Sequence, residues 1–430
     1  MKTIARIVMC LVATAAGCTS DTELRLPIAE AERARELKLL AEPPVIQITR
    51  AEYTASVEKD VRESADYDQL RRDAYGRLGF FPRDYDTASA AGNASAYYGA
   101  IYSQEAKTIT IIDSSTSSLL VHELTHALQD QHFDLKRLLA TSMSSDESLA
   151  KRALIEGDAV IAQTRYELWA RGKNPTSAIA EYITETTARG ESDRILEEAN
   201  VPLLFVARQS FAYTFGVAYV ARRLDIAMGT WSYGEVNALF AGSGPASTQE
   251  VLHPSTEPDP IVPTGFGTLP AAVAAEYDVA MVDRLGEWYA YLLFRPGDAN
   301  AVPPAGNVPR AVALEAATAK WDGDQLVLLR RKDRAASGIV WTSIWETESA
   351  AERIEAGLRR VHGDAVSSVM GSPIAPDGEL IRIERRGNQV CFVKNFDPTM
   401  MELLARVALS TKEEKRMEIL HVVATTPNVH

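Results

Sequence analysis

Cysteine is scarce: the 430 residues carry only three, at positions 10, 18 and 391. That excludes a disulfide-built scaffold. Positive charge is also short, with 45 Lys and Arg against 58 Asp and Glu and a net charge of −13. A chain so acidic lacks the basic surface that nucleic acid requires, so no nucleic-acid partner is expected. Its one basic cluster, "RRKDR" at 330–334, follows an apolar run and reads as a solvated strand end. No internal repeat of solenoid or propeller period is present. Long apolar runs are missing too: the nearest, at 203–221, is broken by Arg208, Gln209 and Ser210 and reads as a buried helix. What remains, 46% hydrophobic and 24% charged, is ordinary for a globular chain of one large or two modest domains.

The first residues read as an address rather than as fold. Lys2 and Arg6 precede an apolar run from Ile7 to Ala16, and small residues lead to Cys18. This is a secretory signal pattern, and "AAGC" resembles a bacterial lipobox, with Ala15 where leucine is more usual. The expectation is cleavage before Cys18, lipid on that cysteine, and export to the cell envelope. Cys391 is then the sole free thiol and no internal bridge can form. Loss of Lys2 and Arg6 moves the formal charge from −13 to −15.

Punctuation divides the rest. A polar tether and charged helix occupy 18–43, up to Pro43 and Pro44. A helical pattern from 52 to about 78 precedes a hairpin at 95–113, "SAYYGAIYSQEAKTITIID", and helices dominate from about 117 to 240. The main domain is expected over 44–295, with a proline-rich linker at 296–309 and a C-terminal domain over 310–430. In that last part "DQLVLLR", "GIVWTSIWE", "LIRIERR" and "QVCFVKN" read as strands, with a helix at 347–362 and a charged one at 399–424. The fold class expected is α+β, mainly α, with a small sheet beside a central helix and a small α+β domain at the end.

Histidine is also rare, yet three of the seven fall in "LLVHELTHALQDQH", residues 119–132. Residues four apart on a helix lie about 40° apart around its axis, so His122 and His126 face one point. Two imidazoles so placed can bind Zn²⁺, and Glu123 beside them can take a proton from a water that the metal acidifies. Ser117 and Ser118 are capping candidates for this helix.

The third ligand is open between a local and a distant solution. His132 follows His122 by ten residues, the spacing of HExxHxxGxxH, but Gln129 stands where that motif has its turning glycine. If the helix continues, His132 lies about 15 Å along the axis from His122, out of reach of the same ion. Glu156, in the second helical pattern "ESLAKRALIEGDAVIAQTRYELW" (147–169), is the stronger candidate, with Glu147, Asp158 and Asp134 as rivals. Gly157 beside it allows a close helix approach.

"VHELTHALQDQH", "ALIEGDA" and "PASTQEVLHP" together resemble a family of bacterial, often lipoprotein-like, predicted zinc metallopeptidases of the gluzincin group. "LGEWYAYLLF" (285–294) and "KWDGDQLVLL" (320–329) resemble its later blocks, so the likeness spans about 80–346. It implies a thermolysin-like arrangement, with one zinc on His122, His126 and Glu156, and Glu123 as general base. The chain departs at Val160, where such enzymes often carry an aspartate that orients a zinc histidine. Asp158 or Asp130 would have to serve instead. Tyr213 and His253 are the candidates to steady the oxyanion, and the hairpin edge could pair with extended substrate. The expected function is an exported zinc metallopeptidase acting on peptide or protein, membrane-tethered through lipid on Cys18. The alternatives are a zinc amidohydrolase on a non-protein amide, or an envelope scaffold with a structural zinc.

Overall fold

The computed structural model describes residues 21–63, 66–95, 98–176, 178–179, 202–224, 231–253, 261–262, 264–266, 268–294, 320–333, 336–362, 368–369, 372–373 and 377–410. The signal segment, Cys18, the linker at 296–309 and positions 411–424 of the expected last helix lie outside the described residues. The fold is mixed α+β and mainly helical.

Helix α1 (Asp21–Arg35) leads into strand β1 (Val45–Ile48), then α2 (Arg50–Arg62), α3 (Asp66–Leu78) and α4 (Thr87–Ala94). The single helical pattern expected from 52 to 78 is thus two helices, the first opened by a capping box on Thr49 and Glu52. The hairpin forms as β2 (Ala100–Ser103) and β3 (Thr108–Ile112). Strand β1 pairs parallel to β3, giving the order β1-β3-β2 and leaving β2 at the edge.

Helix α5 (Ser117–Phe133) follows, capped by Thr116, whose side chain accepts from Leu119 N–H, rather than by either serine. It is buried all round from Val121 to Asp130. Ile109 and Ile111 of β3 pack on its Val121, Leu124 and Leu128, with Ala31 of α1 beside them. The small sheet and α1 thereby clamp this helix. Asp134, in the left-handed region at φ 55°, ends α5 and caps α6 (Leu135–Ala140) through Arg137 N–H. Helix α7 (Ser145–Ala170) starts at the Ser144 cap and packs along α8 (Leu203–Arg223). Shorter helices α9 (Gly234–Ala241), α10 (Thr248–Leu252) and α11 (Ala271–Glu276) complete this part. No helix among the described residues is long and apolar enough to cross a membrane.

A second sheet is built from β4 (Tyr277–Asp283), β5 (Trp321–Arg331), β6 (Ser337–Trp345), β9 (Ile381–Arg386) and β10 (Gln389–Lys394), in the order β4-β5-β6-β10-β9. Helix α12 (Gly286–Phe294) follows β4, and α13 (Glu348–His362) follows β6. A two-strand ribbon, β7 (Ser368–Val369) with β8 (Ser372–Pro373), precedes β9. The last described helix, α14 (Pro398–Ala408), is capped by Asp397. The sheet is apolar on both faces, as the strand alternation requires. Leu326 and Leu328 join the main core with Trp288 and Ile354, while Val327 and Leu329 pack against Met401 and Leu404 of α14.

Strand β4 lies ahead of the linker, so this sheet begins inside the segment assigned from sequence to the main domain. Its mixed burial hides it from a periodicity reading. The turn after it joins the two parts. Asp283 accepts from the Tyr75 hydroxyl and from Ser145 N–H and hydroxyl. Asp146 accepts from Thr248 and Arg284. Asp324 takes the backbone N–H of Leu285 and Gly286 and the indole N–H of Trp321 and Trp341. Gly286 is required here: its φ is 75°, and a Cβ would fall 1.9 Å from Asp146 Oδ1. Gly286→Ala is expected to cost roughly 3 kcal/mol or more in urea unfolding. A change under about 0.5 kcal/mol, the size of an ordinary surface substitution, would show that the turn relaxes.

Candidate metal centre

Helices α5 and α7 bring His122, His126 and Glu156 to one point. The two Nε2 atoms are 3.1 Å apart, and Glu156 Oε2 lies 3.3 Å from each. Tetrahedral zinc with bonds of about 2.0–2.1 Å places its ligand atoms about 3.3–3.4 Å apart. The triangle matches that spacing.

The hydrogen bonds behind the rings fix which atoms face it. Gln129 gives its amide N–H₂ to Ile155 O and Asp158 Oδ2, so its oxygen faces His126 Nδ1 at 2.9 Å. Gln163 gives its N–H₂ to Ser118 Oγ and Glu167 Oε1, so its oxygen faces His122 Nδ1 at 3.2 Å. Each Nδ1 must then be the donor, and each Nε2 turns its second position toward the triangle. Glu156 Oε2 is buried without a hydrogen-bond partner. Two ring nitrogens and an unbonded carboxylate oxygen aimed at one point suit a divalent cation.

Charge follows the same geometry. Burial opposes a proton on His126, but the Glu156 carboxylate outweighs it and raises the imidazole to about 9. Despite burial, the two histidines hold Glu156 far below the usual carboxylate range. A cation on the same three atoms would take over that neutralising role. Burial pushes Glu123 up, against the pull of His122 and His126, and Tyr102 N–H of β2 holds its Oε2 at 2.6 Å.

Tyr213, on α8, stacks against His122 with ring centroids 6.1 Å apart. Burial first, then the Glu156 charge, keep its hydroxyl protonated. The approach is possible because α7 and α8 touch at glycines. A Cβ on Gly157 would meet Gly216 O at 2.2 Å, and one on Gly216 would meet Ala153 O at 2.1 Å.

The other sequence candidates sit elsewhere. Helix α5 does continue, and His132 bonds Lys38 O at 2.8 Å. Glu147 pairs with Lys151, and Asp134 serves as the shared cap. Asp158 pairs with buried Arg35 at 2.6 Å and reaches His126 only through Gln129. Asp130 holds the Tyr102 hydroxyl and Lys107 instead of a ring. His253 ends α10 and sits 2.9 Å from Glu287 Oε1, and none of its described partners belongs to the metal group. Buried Glu287 needs a counter-charge, and His253 supplies it. Tyr97 lies outside the described residues.

Gln129 and Gln163 were missed as ring-orienting groups. The signal was there in spacing: Gln129 is one turn beyond His126, and Gln163 two turns beyond Glu156, each on its ligand's face.

Residues 277–405 match a family described as Domain of unknown function (DUF8575). No curated protein and no solved structure matches the chain. The matched segment begins at β4, runs through the second sheet and leaves out the metal group.

Two outcomes are expected. Zinc per chain, measured on the full protein, falls from one to near zero in Glu156→Ala and stays at one in His132→Ala. The reverse result would make the site local to α5. His253→Ala keeps its zinc but lowers stability by about 1–2 kcal/mol, a value discounted because His253 is 40% exposed. The Glu287 hydrogen bond raises His253, so its contribution is complete below the unfolded value of about 6.5 and fades as pH rises through the folded one. Equal destabilisation at pH 6 and pH 9 would contradict this pairing.

Proposed function

We propose that this chain is a zinc-dependent peptidase of the gluzincin type, exported and tethered through lipid on Cys18. The observation that carries the reading is the ligand triangle with Glu123 beside it. Among the described residues the group offers three ligands, whereas a structural zinc is closed by four. Zinc held by His122, His126 and Glu156 supplies Lewis acidity toward a carbonyl oxygen and toward water.

The chain's own groups do the rest. Glu123, raised by burial, takes the proton of the attacking water and delivers it to the leaving amine. Tyr102 N–H fixes that carboxylate in place. The Tyr213 hydroxyl, kept protonated, is a donor at the edge of the site for charge developing on the substrate oxygen. Extended peptide has a template in β2. Gly99 O bonds Ile112 N–H and so faces β3, which by alternation turns the backbone groups of Ala100 and the carbonyl of Tyr102 outward, the Tyr102 N–H being held by Glu123. A strand added there binds through main-chain hydrogen bonds and tolerates many side chains.

Glu123→Gln tests the reading. It is expected to retain one zinc per chain and to lose about 10²–10⁴-fold in cleavage of an unfolded protein such as reduced casein. Equal cleavage by the variant would remove Glu123 from the reaction. Wild type that holds zinc yet leaves unfolded protein intact would point to a non-protein amide as substrate.

A further inference from the structure

Arginines near the site are mostly matched with acids: Arg71 pairs with Asp68, Arg35 with Asp158 and Arg223 with Glu250. Arg152 and Arg208 are different. Among the described residues no carboxylate oxygen forms an ion pair with either one, and Arg208 Nε is buried without a hydrogen-bond partner. Arg152 stands on α7 one turn before Glu156, and Arg208 on α8 five residues before Tyr213. The two guanidinium groups feel each other's charge, and Tyr289 of α12 lies within the field of both. Tyr98, ahead of β2, is close to Arg152 and to Tyr213. Burial and mutual repulsion both work against the charge on Arg152. Glu156 is the carboxylate that favours it, and that group is already committed to the metal triangle.

Two like charges in one partly buried space are costly unless an anion joins them. A guanidinium is a planar fork suited to carboxylate, and two such cations within each other's field are best neutralised by a shared anion. We propose that Arg152 and Arg208 form a carboxylate-binding subsite beside the metal triangle, which selects substrates carrying a free carboxylate next to the bond that is cut. This rests on the peptidase reading for its choice of carboxylate. In a peptide that group is either an acidic side chain or the chain terminus. Tyr289 and Tyr98 would flank it with ring surface and hydroxyls.

The test uses the full zinc-loaded chain and two small probes of the same shape, succinate and uncharged succinamide, titrated by calorimetry. Wild type is expected to prefer succinate by at least tenfold. Arg152→Gln and Arg208→Gln should each weaken succinate by roughly ten- to hundred-fold, the cost of a lost charge-assisted hydrogen bond, with zinc per chain unchanged. Equal binding of the two probes, or no succinate binding at 10 mM (roughly the weakest affinity worth calling a site), overturns the proposal. So does wild-type affinity in zinc-retaining variants. If a variant loses zinc or fails to fold, the wild-type preference alone decides. Peptide pairs differing as Asp against Asn, or as terminal acid against terminal amide, then identify which carboxylate is read. If no peptide is cleaved while succinate selectivity and its loss in the variants hold, the subsite stands and the peptidase reading falls.

Discussion

Helices α7 and α8 meet backbone to backbone at Gly157 and Gly216, where any Cβ would lie within 2.2 Å of a carbonyl oxygen. Glycine inside a helix costs about 1 kcal/mol each relative to alanine, so this crossing runs against helix propensity. Its return is position. Glu156 and Tyr213 lie within a turn of the contact, so the close approach brings Tyr213 against His122 and into the field of the Glu156 carboxylate. The placement of the third candidate ligand and the aromatic wall beside His122 both follow from that crossing.

The two candidate ligand histidines are oriented by neutral amides, with charge set one bond further back. His126 leans on Gln129, which is held by Asp158, which is held by Arg35 at the end of α1. His122 leans on Gln163, which is held by Ser118 and Glu167. An amide oxygen fixes the ring tautomer as a carboxylate would, while adding less negative charge behind the metal. The first of these chains also connects the metal group to the N-terminal helix, the element nearest in sequence to the expected lipid on Cys18.

The second sheet is tied to the helical part by buried acids rather than by a linker. Asp146, Asp283 and Asp324 receive backbone and side-chain donors from both sides of the turn at 283–286. These bonds make β4 and α12 common to the two halves, and the matched segment likewise starts at 277, ahead of the prolines.

The sequence by itself determined what depends on short spacing: a helix presenting His122 and His126 together, the hairpin at β2 and β3, and the alternating strands of the C-terminal part. It also singled out Glu156, a carboxylate in a second helical pattern downstream, with Gly157 beside it allowing a close helix approach. Only the tertiary structure decided what depends on partners far along the chain. The parallel pairing of β1 with β3, the capture of His253 by Glu287, the roles of Gln129 and Gln163, and the lack of an acid partner for Arg152 and Arg208 among the described residues are of this kind. Periodicity reports which face of an element is buried, and that is a local property. Which polar group meets which across that buried face is set by how whole helices cross, and the crossing is decided by packing that no short window contains.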